Sequence, residues 1–135
     1  IYILSLHDAL PISLLMGDAG FEVEEQLIKQ GVGVTTLLKA GHHGSKTAGS
    51  ERFLKHTQPQ LVVISAGFGN SFGLPADETV ERIIRSGAQL CRTDLQGTLE
   101  VSSDGISFDC KTIPTENRLV SVARRFILTG GEVVR

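Results

Sequence analysis

Two stretches of the chain end an apolar run on side chains able to hold a cation. Leu14-Leu15-Met16-Gly17-Asp18 closes on a carboxylate, and Leu38-Lys39-Ala40-Gly41-His42-His43-Gly44-Ser45 closes on an imidazole pair. An ionised Asp offers two oxygens that can bridge two cations and a neutral His offers one nitrogen; Zn²⁺ accepts both at about 2.0–2.2 Å. Glycines beside each ligand let the backbone turn tightly into such a site. Neighbours in an extended backbone point to opposite sides, so only one histidine ligates unless the loop turns between them. His42 is taken as that ligand, with His43 behind it or facing substrate; the reversed order is the alternative. On residue types alone, a polar loop with Asp18 as a helix cap accounts for the pattern as well as a metal site does, because one Asp and a His pair are not a complete ligand set. Ser45-Lys46-Thr47 adds two hydroxyls and a cation, suited to a phosphate oxygen beside the metal and equally to a solvated loop.

Other motifs fail on spacing. Gly44-Ser45-Lys46-Thr47 is not a P-loop, since the lysine does not directly follow the glycine. Gly67-Phe68-Gly69-Asn70-Ser71-Phe72-Gly73 has the wrong third spacing for a dinucleotide fingerprint and reads as a turn or a loop at the edge of the site. His56 falls on the polar side of a short helix and takes no role.

The candidate residues need elements that bring them together. Residues 13–16 and 34–39 read as buried strands, each opening into its polar tip. Between them Phe21, Val23, Leu27 and Ile28 are spaced for one helix face, Glu22, Glu24 and Glu25 suit the positive end of the helix dipole, and Gly31 marks the stop. A single helical crossover makes the two strands parallel, with their C-terminal ends at one sheet edge, so carboxylate and imidazole converge. Downstream, Ser50 caps a short helix over residues 51–56 and residues 61–65 form a third strand. Residues 75–86 form an amphipathic helix with Val80, Ile83 and Ile84 inward. Residues 89–93, 98–102 and 106–109 then read as consecutive short strands, joined by residues 94–97 and by the hairpin pair Asp104-Gly105.

Composition bounds the rest. The 135 residues, 41% hydrophobic with a formal net charge of -2, fit one ordinary globular domain and carry no overall basic field of a nucleic-acid binder, so any DNA contact is local. Apolar stretches such as residues 61–66 fall far short of the about 20 residues needed to cross a bilayer, so no span is expected. Cys91 and Cys110 lack metal-ligand spacing and read as core residues, with a disulfide between them left open. Residues 1–12 have neither the basic flank nor the cleavage site of a signal peptide, and the string SLHDALPIS resembles a translated sequencing adapter. They are expected to be a non-native segment, and His7-Asp8 is set aside with them. The expected organisation is that segment, a domain over residues 13–110, and a weakly patterned tail over residues 111–135.

The order LLMGD, LLKAGHHGSKTAGSERFL, QLVVISAG, an Asn-x-Phe-Gly loop and CRTDLQGTLEVSSDG, over residues 14–108, resembles the C-terminal part of the metallo-β-lactamase-like domain of the ComEC family of DNA-uptake competence proteins. The resemblance implies an α/β fold, the C-terminal half of a metallo-β-lactamase αββα sandwich. It implies two divalent metal ions, zinc or manganese, with Asp18 as the bridging carboxylate and one of His42 and His43 as the last histidine ligand. The implied activity is nuclease action on the non-transported DNA strand, by metal-assisted phosphodiester hydrolysis. The implied partners are single-stranded DNA and a membrane channel domain of the same polypeptide, with this domain outside the cytoplasm of a bacterial plasma-membrane protein. Two departures stand out. The family's HxHxDH motif and an intermediate histidine belong upstream of Asp18 and are absent here, so the metal site is incomplete and the chain by itself is expected to be inactive. Histidines of the loop after the family's Asn-x-Tyr-Gly are replaced by Gly73-Leu74-Pro75-Ala76-Asp77. A hydrolase of the same fold acting on another ester, and a degenerate domain serving only DNA binding or assembly, are the alternatives.

Overall fold

Parallel pairing of adjacent strands needs a crossover connection, usually a helix. That arrangement is found in the structure, a computed structural model that describes residues 2–4 and 13–114. Strands β1 (Tyr2–Leu4), β2 (Ser13–Leu15), β3 (Leu37–Lys39), β4 (Leu61–Ile64) and β5 (Gln89–Arg92) form one sheet in chain order. β1 runs antiparallel to β2, pairing Tyr2 with Leu15, and β2 to β5 are parallel. Helices α1 (Phe21–Lys29), α2 (Glu51–Thr57) and α3 (Asp77–Arg85) are the crossovers. A one-turn helix, α4 (Thr93–Gln96), leads to a separate antiparallel hairpin of β6 (Leu99–Ser103) and β7 (Phe108–Thr112). His7, Asp8 and the expected tail beyond Pro114 lie outside the described residues.

Register explains the core. Leu14, Leu38 and Val62 stand side by side across β2, β3 and β4, and all three are buried. Leu27 of α1, Phe53 and Leu54 of α2 and Ile83 of α3 close over that row. The neighbouring row, on the opposite face, holds Leu15, Lys39 and Val63, which are only half-buried, and Cys91, which is buried.

Several expectations are corrected. The second strand is Leu37–Lys39, shorter than residues 34–39, because the Thr35 amide donates to the Thr57 carbonyl of α2 (2.7 Å) and draws that segment to the helix; Val34 is 58% exposed. Ile84 points outward at 60% exposure while Ile83 is buried. Residues 89–92 belong to the parallel sheet rather than to a run of hairpin strands, and residues 93–96 are helical. The Asp104-Gly105 hairpin and the Ser50 cap are as expected, the Ser50 hydroxyl accepting from the Phe53 amide at 3.2 Å.

Candidate metal centre

Parallel strands joined by crossovers present their C-terminal ends at one edge, where open α/β sheets bind ligands. Asp18 follows β2 in a tight turn in which the Ala19 amide donates to the Met16 carbonyl (3.1 Å) and Gly17 takes φ +58. Its carboxylate stands 78% exposed. Asp18 caps no helix: the N-cap of α1 is Gly20, without a side-chain bond.

β3 opens into a 3-10 turn, Gly41–Gly44, in which His42 (φ 44, ψ 47) and His43 (φ 55, ψ 26) are both left-handed. The extended backbone on which opposite orientations were expected is therefore absent. Two consecutive non-glycine residues in this region are strained, each by roughly 1–2 kcal/mol, and the surrounding contacts hold them there. The His42 amide donates to the Gly17 carbonyl (2.8 Å), tying the histidine turn to the Asp18 turn. A Cβ on Gly41 would lie 2.1 Å from the Ala19 carbonyl oxygen, so only glycine allows this approach.

His43 is the histidine that meets the carboxylate. Its Nδ1 lies 2.7 Å from the Ser65 carbonyl oxygen. A carbonyl only accepts, so Nδ1 carries the hydrogen and the neutral ring keeps its lone pair on Nε2. That Nε2 lies 3.8 Å from Asp18 Oδ1. A backbone carbonyl on one imidazole nitrogen is the usual way of aiming the other at a metal. Two donors on one tetrahedral Zn²⁺ lie about 3.3 Å apart, so the pair fits part of a coordination shell after a small side-chain adjustment. His42 is exposed, its ring 6.4 Å from that of His43. Among the described residues no three His, Cys, Asp or Glu side chains are grouped to hold a metal ion.

The segment after the histidines is clamped from two helices. Arg82 of α3 donates from Nε to the Gly49 carbonyl (2.9 Å) and from one terminal nitrogen to the carbonyls of Lys46 and Ala48 (both 2.9 Å), while its guanidinium lies 5.5 Å from the Phe21 ring centroid. Thr79 donates its hydroxyl to the Ser45 carbonyl (2.8 Å). From the other side the buried Glu24 carboxylate accepts the Gly49 and Ser50 amides at 2.6 and 2.9 Å. Within the clamp the Ser45 and Thr47 hydroxyls lie 3.3 Å apart, and Lys46 and Thr47 are exposed. Glu24, Arg82 and the Ser65 carbonyl had no signal in the sequence: Glu24 is one of three glutamates close together at the start of α1, Arg82 reads as a solvated face, and a backbone carbonyl has no residue type.

The fold and site define a class first: an α/β protein with a carboxylate and an imidazole on adjacent parallel strand tips. Comparison with known proteins then finds relatives. The chain is 36% identical over 89 residues to Competence protein ComA of Neisseria gonorrhoeae, covering 64% of this chain and 13% of that protein. It is 33% identical over 88 residues to ComE operon protein 3 of Bacillus subtilis (64% and 11%) and 35% identical over 89 residues to Recombination protein 2 of Haemophilus influenzae (66% and 11%). The chain thus spans 11–13% of the length of these relatives. No family model matches it. No solved structure matches it either.

Proposed function

We propose that this chain is the downstream part of a metallo-β-lactamase-type, metal-dependent phosphodiesterase domain of a ComEC-like DNA-uptake protein, acting on single-stranded DNA. The observation that carries the reading is the His43 imidazole, fixed through Nδ1 by Ser65 and turned with Nε2 toward Asp18. Asp18 and His43 would hold the metal, with His42 the alternative to His43; two zinc or manganese ions, if further ligands completed their shells, would polarise the phosphate and supply the nucleophile. Around them the chain's own residues position substrate. Ser45 and Thr47 offer hydroxyls and Lys46 a cation to a phosphate oxygen, on a backbone held by Arg82 and Glu24. Similarity to competence proteins supports DNA as the substrate class. In this reading the domain lies outside the cytoplasm and is joined to a membrane channel domain; among the described residues no helix is long and apolar enough to cross a membrane.

The test is Zn²⁺- or Mn²⁺-dependent cleavage of single-stranded DNA by the intact protein containing this segment. Asp18→Ala and His43→Ala should lower the rate by at least about 10²-fold and His42→Ala much less. The 135-residue chain alone should not cleave. Unchanged cleavage in Asp18→Ala would sink the metal-site reading, and DNA binding without cleavage by the intact protein would favour the non-catalytic alternative.

A further inference from the structure

The loop over residues 66–74 is tied at both ends to the histidine turn. It begins directly after Ser65, whose carbonyl holds His43 at 2.7 Å. Both backbone groups of Ala66 are held by the Thr93 hydroxyl, at 2.9 and 2.8 Å. It ends at buried Pro75, whose Cβ sits 2.6 Å from where a Cβ on Gly44 would stand, and the following Ala76 amide donates to the Gly44 carbonyl (2.9 Å). Inside the loop, the Asn70 side chain donates to the carbonyls of Gly67 (2.8 Å) and Leu74 (2.5 Å) and accepts from the amides of Phe72 (3.2 Å) and Leu74 (3.1 Å). All the polar valences of Asn70 are thus spent on holding the loop in one shape.

That shape leaves two aromatic rings outside. Phe68 is 88% and Phe72 83% exposed. Each is three residues from an anchor of the histidine turn, Ser65 or Pro75, a span of at most about 10 Å of chain. Phe68 stands between Gly67 and Gly69, and Phe72 between Ser71 and Gly73, so small residues flank each exposed ring along the chain. A protein-docking patch would join its apolar residues into one surface, whereas here the residues between the rings are glycine, asparagine and serine. Two exposed rings on a loop fixed in one shape suit flat, π-bearing partners. The adjoining Ser45-Lys46-Thr47 turn offers donors for phosphate, and the net charge of -2 leaves little long-range electrostatic attraction, so short-range stacking must carry the affinity.

We propose that Phe68 and Phe72 are a base-stacking pair that grips unpaired nucleobases of a single strand and leads its backbone to the Asp18–His43 tip. The proposal rests on the nucleic-acid reading above but requires neither metal nor cleavage. The test is binding of a labelled oligothymidylate and of a duplex to the 135-residue chain in EDTA. The single strand should bind more tightly than the duplex, and Phe68→Ala or Phe72→Ala should each weaken it by roughly 5- to 100-fold. Exposed rings can be replaced without disturbing the core, and Phe68→Tyr and Phe72→Tyr should keep the affinity. Because the sequence contains no tryptophan, Phe72→Trp supplies a single, selectively excited tryptophan whose emission the oligonucleotide should quench. Full affinity in Phe68→Leu and Phe72→Leu would mean plain apolar contact of the kind a protein partner makes, and would overturn the proposal. So would unchanged affinity in the alanine variants; if the intact protein meanwhile loses cleavage with Asp18→Ala, the proposed function stands and stacking alone fails. No single-strand binding by the wild-type chain would remove the stacking pair, while cleavage by the intact protein would still judge the function separately.

Discussion

At His42 and His43 the backbone adopts a conformation that side chains disfavour, and the two residues differ in what they return for it. His42 contributes a backbone bond to Gly17 and an exposed ring, whereas the ring of His43 is engaged by Ser65 and faces Asp18. His42→Gly should therefore stabilise the fold by about 1 kcal/mol, since glycine adopts positive φ freely and the amide bond is kept. A urea melt checks this; a loss of stability would show that the His42 ring is itself held. Gly41→Ala should act in the opposite direction, destabilising by about 3 kcal/mol or more, because its Cβ would be forced onto the Ala19 carbonyl. Burial, followed by the neighbouring Cys91 thiol, pushes the Cys110 thiol up to about 12. It should thus alkylate slowly with iodoacetamide at neutral pH and rapidly in denaturant, and rapid native labelling would contradict that environment.

Between elements, the loop that carries Ser45, Lys46 and Thr47 is held by the charged side chains of Glu24 and Arg82 together with the Thr79 hydroxyl. Glu24→Ala leaves the Gly49 and Ser50 amides without their acceptor and should cost about 2–4 kcal/mol, with Glu24→Gln milder. Amide exchange at Gly49 and Ser50 should rise in the alanine variant; unaltered protection would mean that another group takes over. A second charged contact sits where β5 enters α4. The Arg92 guanidinium, chiefly through its hydrogen bond and against the opposing effect of burial, holds the Asp94 carboxyl below the usual carboxylate range. A carboxyl lowered on folding contributes stability that is full above its unfolded value of about 3.9 and is lost as pH falls through the folded value. Asp94→Asn should accordingly flatten the fall of Tm below about pH 4. An identical acid profile in the variant would place that sensitivity in other carboxylates.

For the molecule as a whole, the three crossover helices cover one face of the sheet, and the row of Leu15, Lys39 and Val63 on the other is only half-buried. The exposed parts of Leu15 and Val63 give that face some apolar character, although Cys91 beside them is buried. The 135-residue chain should consequently show a concentration-dependent tendency to associate, measurable by light scattering and reduced by Val63→Thr. A monomer that is indifferent to concentration and to that substitution would show that residues already within this chain cover the face.

Much of the architecture is legible in the residues alone. Alternating strand and helix periodicities from residue 13 to residue 85 specify parallel crossovers, and parallel crossovers place Asp18 and the histidine pair at one edge. Boundaries are less legible where a distant partner competes for the backbone, as Thr57 does for Thr35, and β5 reads as a hairpin strand because strand residues do not announce parallel or antiparallel partners. The sequence by itself determined which residues could meet: a carboxylate and two imidazoles on neighbouring strand tips. Only the tertiary structure decided that His43 rather than His42 faces Asp18. That choice depends on two left-handed residues and one carbonyl at Ser65, and backbone geometry of this kind is set by contacts across the fold, not by the identity of the side chains it aims.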